Sequence, residues 1–169
     1  MKPRTWYFLD IDGCILPNIF DNTFYTNDQE KLESIIKAYQ KAKDVSLYPE
    51  FVEWWNRNVI KTINKVRFIT GRQEDIFGWL TKTQLKPLIL PLKEYIYYYP
   101  NHFTHDWNLY LRVKINKILE IIETKFDNAN YTEEVKIYDD HDFSKELKEN
   151  LEYPFEFHLI QSKEDWCEL

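Results

Sequence analysis

The stretch that most constrains the fold lies near the N-terminus, where the apolar run Trp6-Tyr7-Phe8-Leu9 leads into Asp10-Ile11-Asp12-Gly13. A run this apolar is typical of a strand that is buried on both faces. Carboxylates at the end of a buried strand require a metal ion, a proton or a charged partner, because an unpaired buried charge is costly. Residues two apart on an extended backbone point the same way, so Asp10 and Asp12 are expected to face one site. Gly13 then allows a sharp turn.

Length and composition indicate one globular domain that covers residues 1–169. The hydrophobic content of 44% and the charged content of 30% are typical of a folded chain. The net charge of -6 argues against broad non-specific binding of nucleic acid, which requires a basic surface. The two cysteines, Cys14 and Cys167, fit no zinc-binding spacing. The predicted strand near the N-terminus leaves no room for the apolar region of a signal peptide, so we expect reduced thiols and a cytoplasmic location. No apolar run approaches the length of about 20 residues that a membrane span needs.

The rest of the chain alternates predicted strands with predicted helices. Strands are expected at 66–69, 88–90, 94–99, 134–138 and 155–160, and helices at 29–43, 74–85, 111–126, 143–151 and from Pro49 through Ile63. Asn27 or Asp28 is expected to cap the first helix, and 101–108 is expected to be a loop. This order predicts an α/β fold, a Rossmann-like three-layer sandwich with a central, mainly parallel sheet.

Polar residues directly follow three of the predicted strands. They are Asp10 and Asp12 after the first strand, Thr70 after the second, and Asp139 with Asp140 after a later one. Ligands of parallel sheets lie at the carboxyl ends of the strands. If these strands are neighbours, the five side chains are expected to meet in one crevice.

These residue types suit the hydrolysis of a phosphate ester. Mg²⁺ takes oxygen ligands in octahedral geometry, and Asp10 with Asp139 or Asp140 can supply carboxylates. A carboxylate beside Mg²⁺ stays ionised and can attack phosphorus, which gives an aspartyl-phosphate. A second carboxyl group, that of Asp12, can protonate the leaving oxygen and later take a proton from water.

The phosphate oxygens that are not attacked need hydrogen-bond donors. The Thr70 hydroxyl, the Gly71 backbone N–H and a lysine ammonium can provide them. Arg72 is expected to contact the substrate phosphate, and pairing with an acid is the alternative. His141, which follows the second acidic pair, can lie at the rim of the site.

Three segments resemble motifs of the haloacid dehalogenase superfamily of Mg²⁺-dependent phosphohydrolases. Phe8–Gly13 resembles the first motif, Phe68–Arg72 the second and Val135–Asp140 the fourth, in the order of the family. The third motif is a lysine before or in a helix, and Val113-Lys114 is its best match. The pattern is also similar to that of superfamily proteins linked to RNA repair and of the phosphatase half of polynucleotide kinase-phosphatases.

The resemblance implies a nucleophile and a metal site. Asp10 matches the nucleophile and a metal ligand, and Asp12 matches the general acid/base, whose backbone carbonyl also binds the metal. Asp139 and Asp140 match the acidic metal pair, and the choice of the direct ligand between them stays open. The implied cofactor is Mg²⁺.

The resemblance also implies residues that bind phosphate. Thr70 and Lys114 match these positions, although Arg112 and Lys117 lie within about one helical turn of Lys114. Residues two apart on a helix face different sides, so only one of Arg112 and Lys114 should face the site. The family commonly has Thr after the glycine of the first motif, and Cys14 stands there in this chain.

Members of this superfamily usually gain specificity from a cap inserted after the first motif or before the third. The insertion here, around 14–47, holds one predicted helix, so the resemblance implies a minimal cap and an open site. We expect a phosphomonoesterase that acts through phospho-Asp10 on a phosphorylated small molecule, a nucleotide or a nucleic-acid end, with no membrane and no obligate protein partner. The alternative is a non-catalytic module that binds a metal or a partner in the same crevice.

Overall fold

The computed structural model describes residues 1–21, 27–59, 64–88, 95–100 and 107–169. Its strands are β1 Lys2–Leu9, β2 Lys65–Gln73, β3 Ile96–Tyr99, β4 Tyr131–Asp139 and β5 Glu156–Leu159. Its α-helices are α1 Asp28–Ala42, α2 Pro49–Asn58, α3 Glu74–Leu85, α4 Trp107–Lys125 and α5 Ser144–Asn150. Short 3₁₀ helices cover Lys86–Leu88 and Lys163–Glu168.

The five strands form one parallel sheet in the order β3-β2-β1-β4-β5. The central strand, β1, places Leu9 beside Phe68 of β2 and beside Tyr138 of β4. The chain moves outward through β2 and β3 and then crosses back to β4, so the winding reverses between β1 and β4. Open α/β sheets bind ligands at such a switch point, at the carboxyl ends of the strands. The predicted Rossmann-like α/β sandwich around a parallel sheet is confirmed.

Helices cover both faces of the sheet, and the side chains of β1 alternate between them. Tyr7 and Leu9 pack in one apolar cluster with α2 and the C-terminal 3₁₀ helix. Trp6 and Phe8 pack in a second cluster with α4 and α5. Because both faces of β1 are covered, the strand is apolar throughout rather than alternating with polar residues. A third cluster packs α1 against α3.

Several element boundaries differ from the sequence-based prediction, among them the ends of β2 and α2 and the start of α4. β2 does not end at Ile69 but continues to Gln73, and its pairing with β3 shifts register between these two residues. α4 begins at Trp107, so the predicted loop is wrong for its last two residues. α2 ends at Asn58, where the Asn58 side chain donates to the carbonyl of Trp54 and competes with the helical pattern.

Some predicted features lie outside the described residues. They are Ile60 and Ile63 at the end of the second predicted helix, Ile89 and Leu90 of the short predicted strand, Glu94, and residues 101–106 of the predicted loop. Leu88, which belongs to the same predicted strand, lies in a 3₁₀ helix instead.

A buried ion pair ties the beginning of β1 to β4. Arg4 Nε and Nη2 donate to the two carboxylate oxygens of Glu133, each at 2.7 Å. Trp6 Nε1 donates to the same carboxylate at 3.0 Å, and the backbone N–H of Asp127 donates at 3.1 Å. Burial by itself would raise the pKa of Glu133, but these donors and the charge of Arg4 lower it below its usual value.

We expect Glu133→Gln to lower the free energy of unfolding by about 3 kcal/mol, because the buried guanidinium of Arg4 loses its charged partner. The folded pKa of Glu133 is depressed, so its stabilisation is complete above the unfolded pKa of about 4.3 and is lost as the pH falls through the folded value. Urea unfolding at several pH values should show a gap between the two proteins that narrows in acid. Glu149→Gln, at an exposed position of α5, is the control. A gap that does not change with pH would contradict this prediction.

Candidate active site

Lys114 and three carboxyl groups meet at the carboxyl ends of β1 and β4. Lys114 Nζ lies 3.2 Å from Asp10 Oδ1 and 2.7 Å from Asp139 Oδ2. All three residues are buried. Asp140 lies close enough to Asp10 for its charge to raise the pKa of Asp10. The sheet order therefore brings together residues that lie 104 and 25 positions from Lys114 in the chain.

The backbone fixes this arrangement directly after β1. The N–H of Asp10 donates to the carbonyl of Tyr138 at 3.0 Å, which extends the β1–β4 pairing as far as the site. Gly13 has a φ of 74°, a left-handed conformation that side chains other than glycine rarely adopt. A Cβ at Gly13 would lie 2.7 Å from Asp140 Oδ2. Glycine thus lets the turn pass directly beside the second acidic pair.

The two members of that acidic pair have different environments. Asp139 accepts from Lys114 with one oxygen and from the backbone N–H of His141, at 3.0 Å, with the other. Asp140 lines a cleft, and its Oδ1 lies 2.9 Å from His141 Nδ1. Both oxygens of Asp139 are therefore engaged by the protein, whereas Asp140 faces the space in which a ligand would bind.

The burial and the charges of this cluster shift its proton affinities. Burial and the charge of Asp139 raise the pKa of Asp10 well above its usual value. Burial also raises the pKa of Asp139, although Lys114 opposes this effect. Burial would raise the pKa of Asp140, but hydrogen bonding to His141 is foremost among the effects that bring it down to about 2. Burial would lower the pKa of Lys114, but the charges of Asp10 and Asp139 raise it well above the usual value.

The donor set of the cluster fits a hard divalent cation. The neighbouring carboxyl groups of Asp10, Asp139 and Asp140 repel one another when ionised, and a cation lowers that repulsion, as the ammonium of Lys114 does between Asp10 and Asp139. Asp139, Asp140 and His141 each offer one atom that could bind a metal ion, and these three atoms lie within 4.8 Å of one another. Carboxylate oxygens are the ligands that Mg²⁺ and Ca²⁺ take in proteins.

Asp12 is held by Arg72 in a separate buried network. Arg72 Nε and Nη2 donate to the two oxygens of Asp12 at 2.9 and 2.8 Å. Its Nη1 donates to Thr81 Oγ1 at 3.0 Å and to Gln84 Oε1 at 2.7 Å. All three nitrogens of the guanidinium are thus engaged by the protein. Of the two roles considered for Arg72, the structure shows the pairing with an acid.

Thr70 and Gly71 lie in β2 beside the cluster. Thr70 is buried, and its Oγ1 accepts from the backbone N–H of Arg72 at 3.1 Å, which leaves the hydroxyl proton available for another acceptor. Gly71 lines the cleft, and a Cβ there would lie 2.9 Å from the ring of Tyr110. Glycine therefore permits close packing of α4 against β2. The role of both residues in binding phosphate stays a prediction.

Lys114 is the basic residue of α4 that reaches the carboxyl groups. Arg112 is exposed, and Lys117 bonds to Glu120 at 2.9 Å and lies over the ring of Tyr97. Lys114 lies on the buried side of α4, whereas Arg112, two residues away, lies on the exposed side, as the spacing predicts.

A cleft opens from this cluster. Its charged lining includes Asp10, Asp12, Arg72 and Asp140, and His141 also lines it. Its apolar lining comes from the loop after β1 and from α1, α3 and α4, and it consists of Phe20, Ile35, Ile76, Phe77, Trp107 and Tyr110.

The aromatic residues of α4 are part of the site that the sequence analysis missed. Tyr110 lies one helical turn before Lys114, and Trp107 lies three residues before Tyr110. With Lys114 at the site, the helical period places Tyr110 on the same face. The polar composition of 101–108, however, predicts a loop, and that prediction conceals the first turn of α4. The hydrogen-bond partners of Arg72 on α3 were also missed, although Thr81 and Gln84 share one helix face.

Comparison with known proteins finds no match to this chain among protein-family models, curated proteins or solved structures. Within the described ranges, none of the helices combines the length and apolar character that crossing a membrane requires. An assignment of function therefore depends on the chemistry of the site.

We expect Arg72→Lys to lower the free energy of unfolding by about 2–4 kcal/mol. A lysine ammonium cannot bond both oxygens of Asp12 and also reach Thr81 and Gln84, so buried acceptors lose their donors. Urea unfolding at neutral pH measures the loss. Arg112→Lys, at an exposed position, should stay within about 0.5 kcal/mol of the wild type. A similarly small loss for Arg72→Lys would show that this network does not stabilise the fold.

Proposed function

We propose that this protein is a metal-dependent phosphomonoesterase in which Asp10 is the nucleophile. The observation that carries the proposal is the contact of Lys114 with both Asp10 and Asp139, beside Asp140, at the switch point of the sheet. Replacing a buried ion cluster by apolar side chains is often neutral or stabilising, so stability alone is a weak reason to keep three acids there. Perturbed proton affinities in a cleft are typical of functional sites. The motifs similar to those of the haloacid dehalogenase superfamily support the same assignment.

Mg²⁺ is the cofactor that suits these residues best. Asp10 and Asp140 would hold it, and the resemblance adds the backbone carbonyl of Asp12. Asp139 has both oxygens engaged, so we assign it to positioning Lys114 rather than to direct ligation. When bound, Mg²⁺ would reduce the negative charge that opposes attack on a phosphate.

Each residue of the cluster has a separate role in the proposed reaction. A carboxylate oxygen of Asp10 attacks phosphorus and the bond to the leaving oxygen breaks. Asp12 enters the cycle protonated on one oxygen, with the contact of that oxygen to Arg72 released, and gives the leaving oxygen its proton. A water molecule then attacks the aspartyl-phosphate, Asp12 takes its proton, and inorganic phosphate leaves with Asp10 restored. Lys114 orients Asp10 through Oδ1 and supplies positive charge to the phosphoryl oxygens. Arg72 fixes the orientation of the Asp12 carboxyl group.

Asp10→Asn should lower the hydrolysis of p-nitrophenyl phosphate by about 10³-fold or more, because an amide is a poor nucleophile. Chelation should remove the activity of the wild type, and added Mg²⁺ should restore it. Asp44→Asn, which changes an exposed aspartate, should keep the wild-type rate. Circular dichroism checks that Asp10→Asn is folded.

Two results would favour the non-catalytic module instead. One is the absence of phosphate release by the Mg²⁺-loaded wild type from p-nitrophenyl phosphate and from oligonucleotides phosphorylated at either end. The other is binding of beryllofluoride, a mimic of a phosphoryl group on aspartate, that requires neither Mg²⁺ nor Asp10.

Lys114→Gln should lower kcat by about 10²–10³-fold, the usual cost of removing one group that stabilises transition-state charge. Lys117→Gln, three residues along α4, is the control and should keep kcat within about twofold. Because Lys114 is buried between two carboxyl groups, thermal unfolding must first show that the variant is folded at the assay temperature. An unchanged kcat would remove Lys114 from the proposed machinery.

A further inference from the structure

The apolar lining of the cleft has a chemistry that phosphate binding does not explain. Six apolar or aromatic side chains from four parts of the chain line the space next to the charged cluster. Asn18, Lys31 and Gln73 contribute polar groups to the same lining. A leaving group rich in hydroxyls would lose hydrogen bonds to water along the apolar part. Burial of an apolar, flat group there would instead contribute favourable binding free energy.

Trp107 is the aromatic residue of the cleft that is best placed to bind such a group. It lies in the first turn of α4 and is half-buried, so part of the indole is open to a ligand. Its ring packs against Tyr110, with ring centroids 5.2 Å apart, and against His141, with centroids 4.6 Å apart. These contacts hold the indole in place, which lowers the entropy that binding would otherwise cost.

His141 connects Trp107 to the charged cluster. The imidazole lies between the indole and Asp140, with Nδ1 2.9 Å from Asp140 Oδ1. Its backbone N–H donates to Asp139. The indole therefore lies one side chain away from Asp140, and it lines the same cleft as Asp10.

Phe20 and Phe77 give the lining a second aromatic part. Their rings meet edge to face with centroids 5.2 Å apart, and Phe77 stacks on Tyr39 at 5.5 Å. Phe77 is buried by these contacts, while Phe20 is half-buried. The cleft thus has aromatic side chains from the loop after β1 and from α3 as well as from α4.

We propose that the substrate is a phosphomonoester whose leaving group carries a flat aromatic ring, and that Trp107 stacks on this ring. The proposal rests on the proposed function, since the ring belongs to the group that leaves when Asp10 attacks. The shared chemistry is the π-face, which a nucleoside base and a phenyl-type ring both offer.

Two pairs of substrates separate the effect of the ring from the reactivity of the ester bond. Adenosine 5′-monophosphate and ribose 5-phosphate are both esters of a ribose primary alcohol, and 2-phenylethyl phosphate and butyl phosphate are both esters of a primary alkyl alcohol. Stacking of one ring is expected to raise kcat/KM by about tenfold. A gain in the first pair alone identifies a base, and a gain in the second alone identifies a phenyl-type ring. Equal values within both pairs would overturn the proposal.

Trp107→Ala should remove this gain, so that the two members of a pair are hydrolysed with the same kcat/KM. Trp79→Ala is the matched control, because Trp79 is 75% exposed on α3 and is not part of the cleft lining. Trp79→Ala should keep the full gain. If Trp107→Ala keeps it too, or weakens both members of a pair equally, Trp107 does not bind the ring.

Calorimetry with the folded Asp10→Asn variant and Mg²⁺ provides a readout that needs no turnover. The ring-bearing ester of a pair should bind with a Kd about tenfold lower than its partner, and Trp107→Ala in the same background should remove the difference. Hydrolysis of all four esters with equal kcat/KM would overturn the ring preference and leave the proposed function standing. If no ester is hydrolysed, the proposed function fails, and equal Kd values would then overturn the ring preference as well.

Discussion

The contact of Lys114 with Asp10 and Asp139 is the interaction on which the rest of the site depends. It joins the end of β1, the end of β4 and the face of α4 that packs on the sheet. Without the ammonium, the two buried carboxyl groups would raise each other's pKa and take up protons. Without β4 beside β1, the two acids would not meet. The sheet order brings the two carboxyl groups together, and the ammonium of Lys114 offsets the repulsion between them.

A rigid aromatic core holds the strand ends that carry these charges. Tyr138, the residue before Asp139, stacks on Trp166 with centroids 5.3 Å apart and meets Trp54 edge to face at 4.9 Å. Tyr7 packs against Trp54 from the neighbouring strand. A site built on strands that are locked by packing keeps its geometry better than one built on loops. Several of the aromatic residues, which make up 17% of the chain, pack in this core.

The sequence predicts the parts of the structure that depend on local pattern. Apolar runs and helical spacing are local properties, so the parallel sheet and most helices follow from them, as does the placement of Asp10 and Asp139 at strand ends. Helical spacing separates Arg112 from Lys114, but the choice of Lys114 over Lys117 comes from the structure. The partners of Arg72 on α3, Thr81 and Gln84, could not be predicted. They depend on how far β2 continues and on which face of α3 packs against β2. The walls of the cleft come from four separate segments, and no local pattern links Phe20 to Trp107.

Asp10 and Asp12 show how two identical side chains, two residues apart, acquire different environments. Asp10 has an ammonium on one oxygen and further carboxyl groups around it, and its side chain is 7% exposed. Asp12 has a guanidinium across both oxygens, and its side chain is 14% exposed along the cleft. The motif alone is symmetric, and the asymmetry comes from the cations, one supplied by α4 and one by β2. In the proposed reaction, the contact of Lys114 with one oxygen leaves Asp10 an oxygen with which to attack. The bidentate contact with Arg72 fixes the Asp12 carboxyl group and opens at one oxygen when that oxygen carries the proton. The division of the chemistry is thus decided by tertiary structure, at positions 72 and 114, rather than by the acidic motif itself.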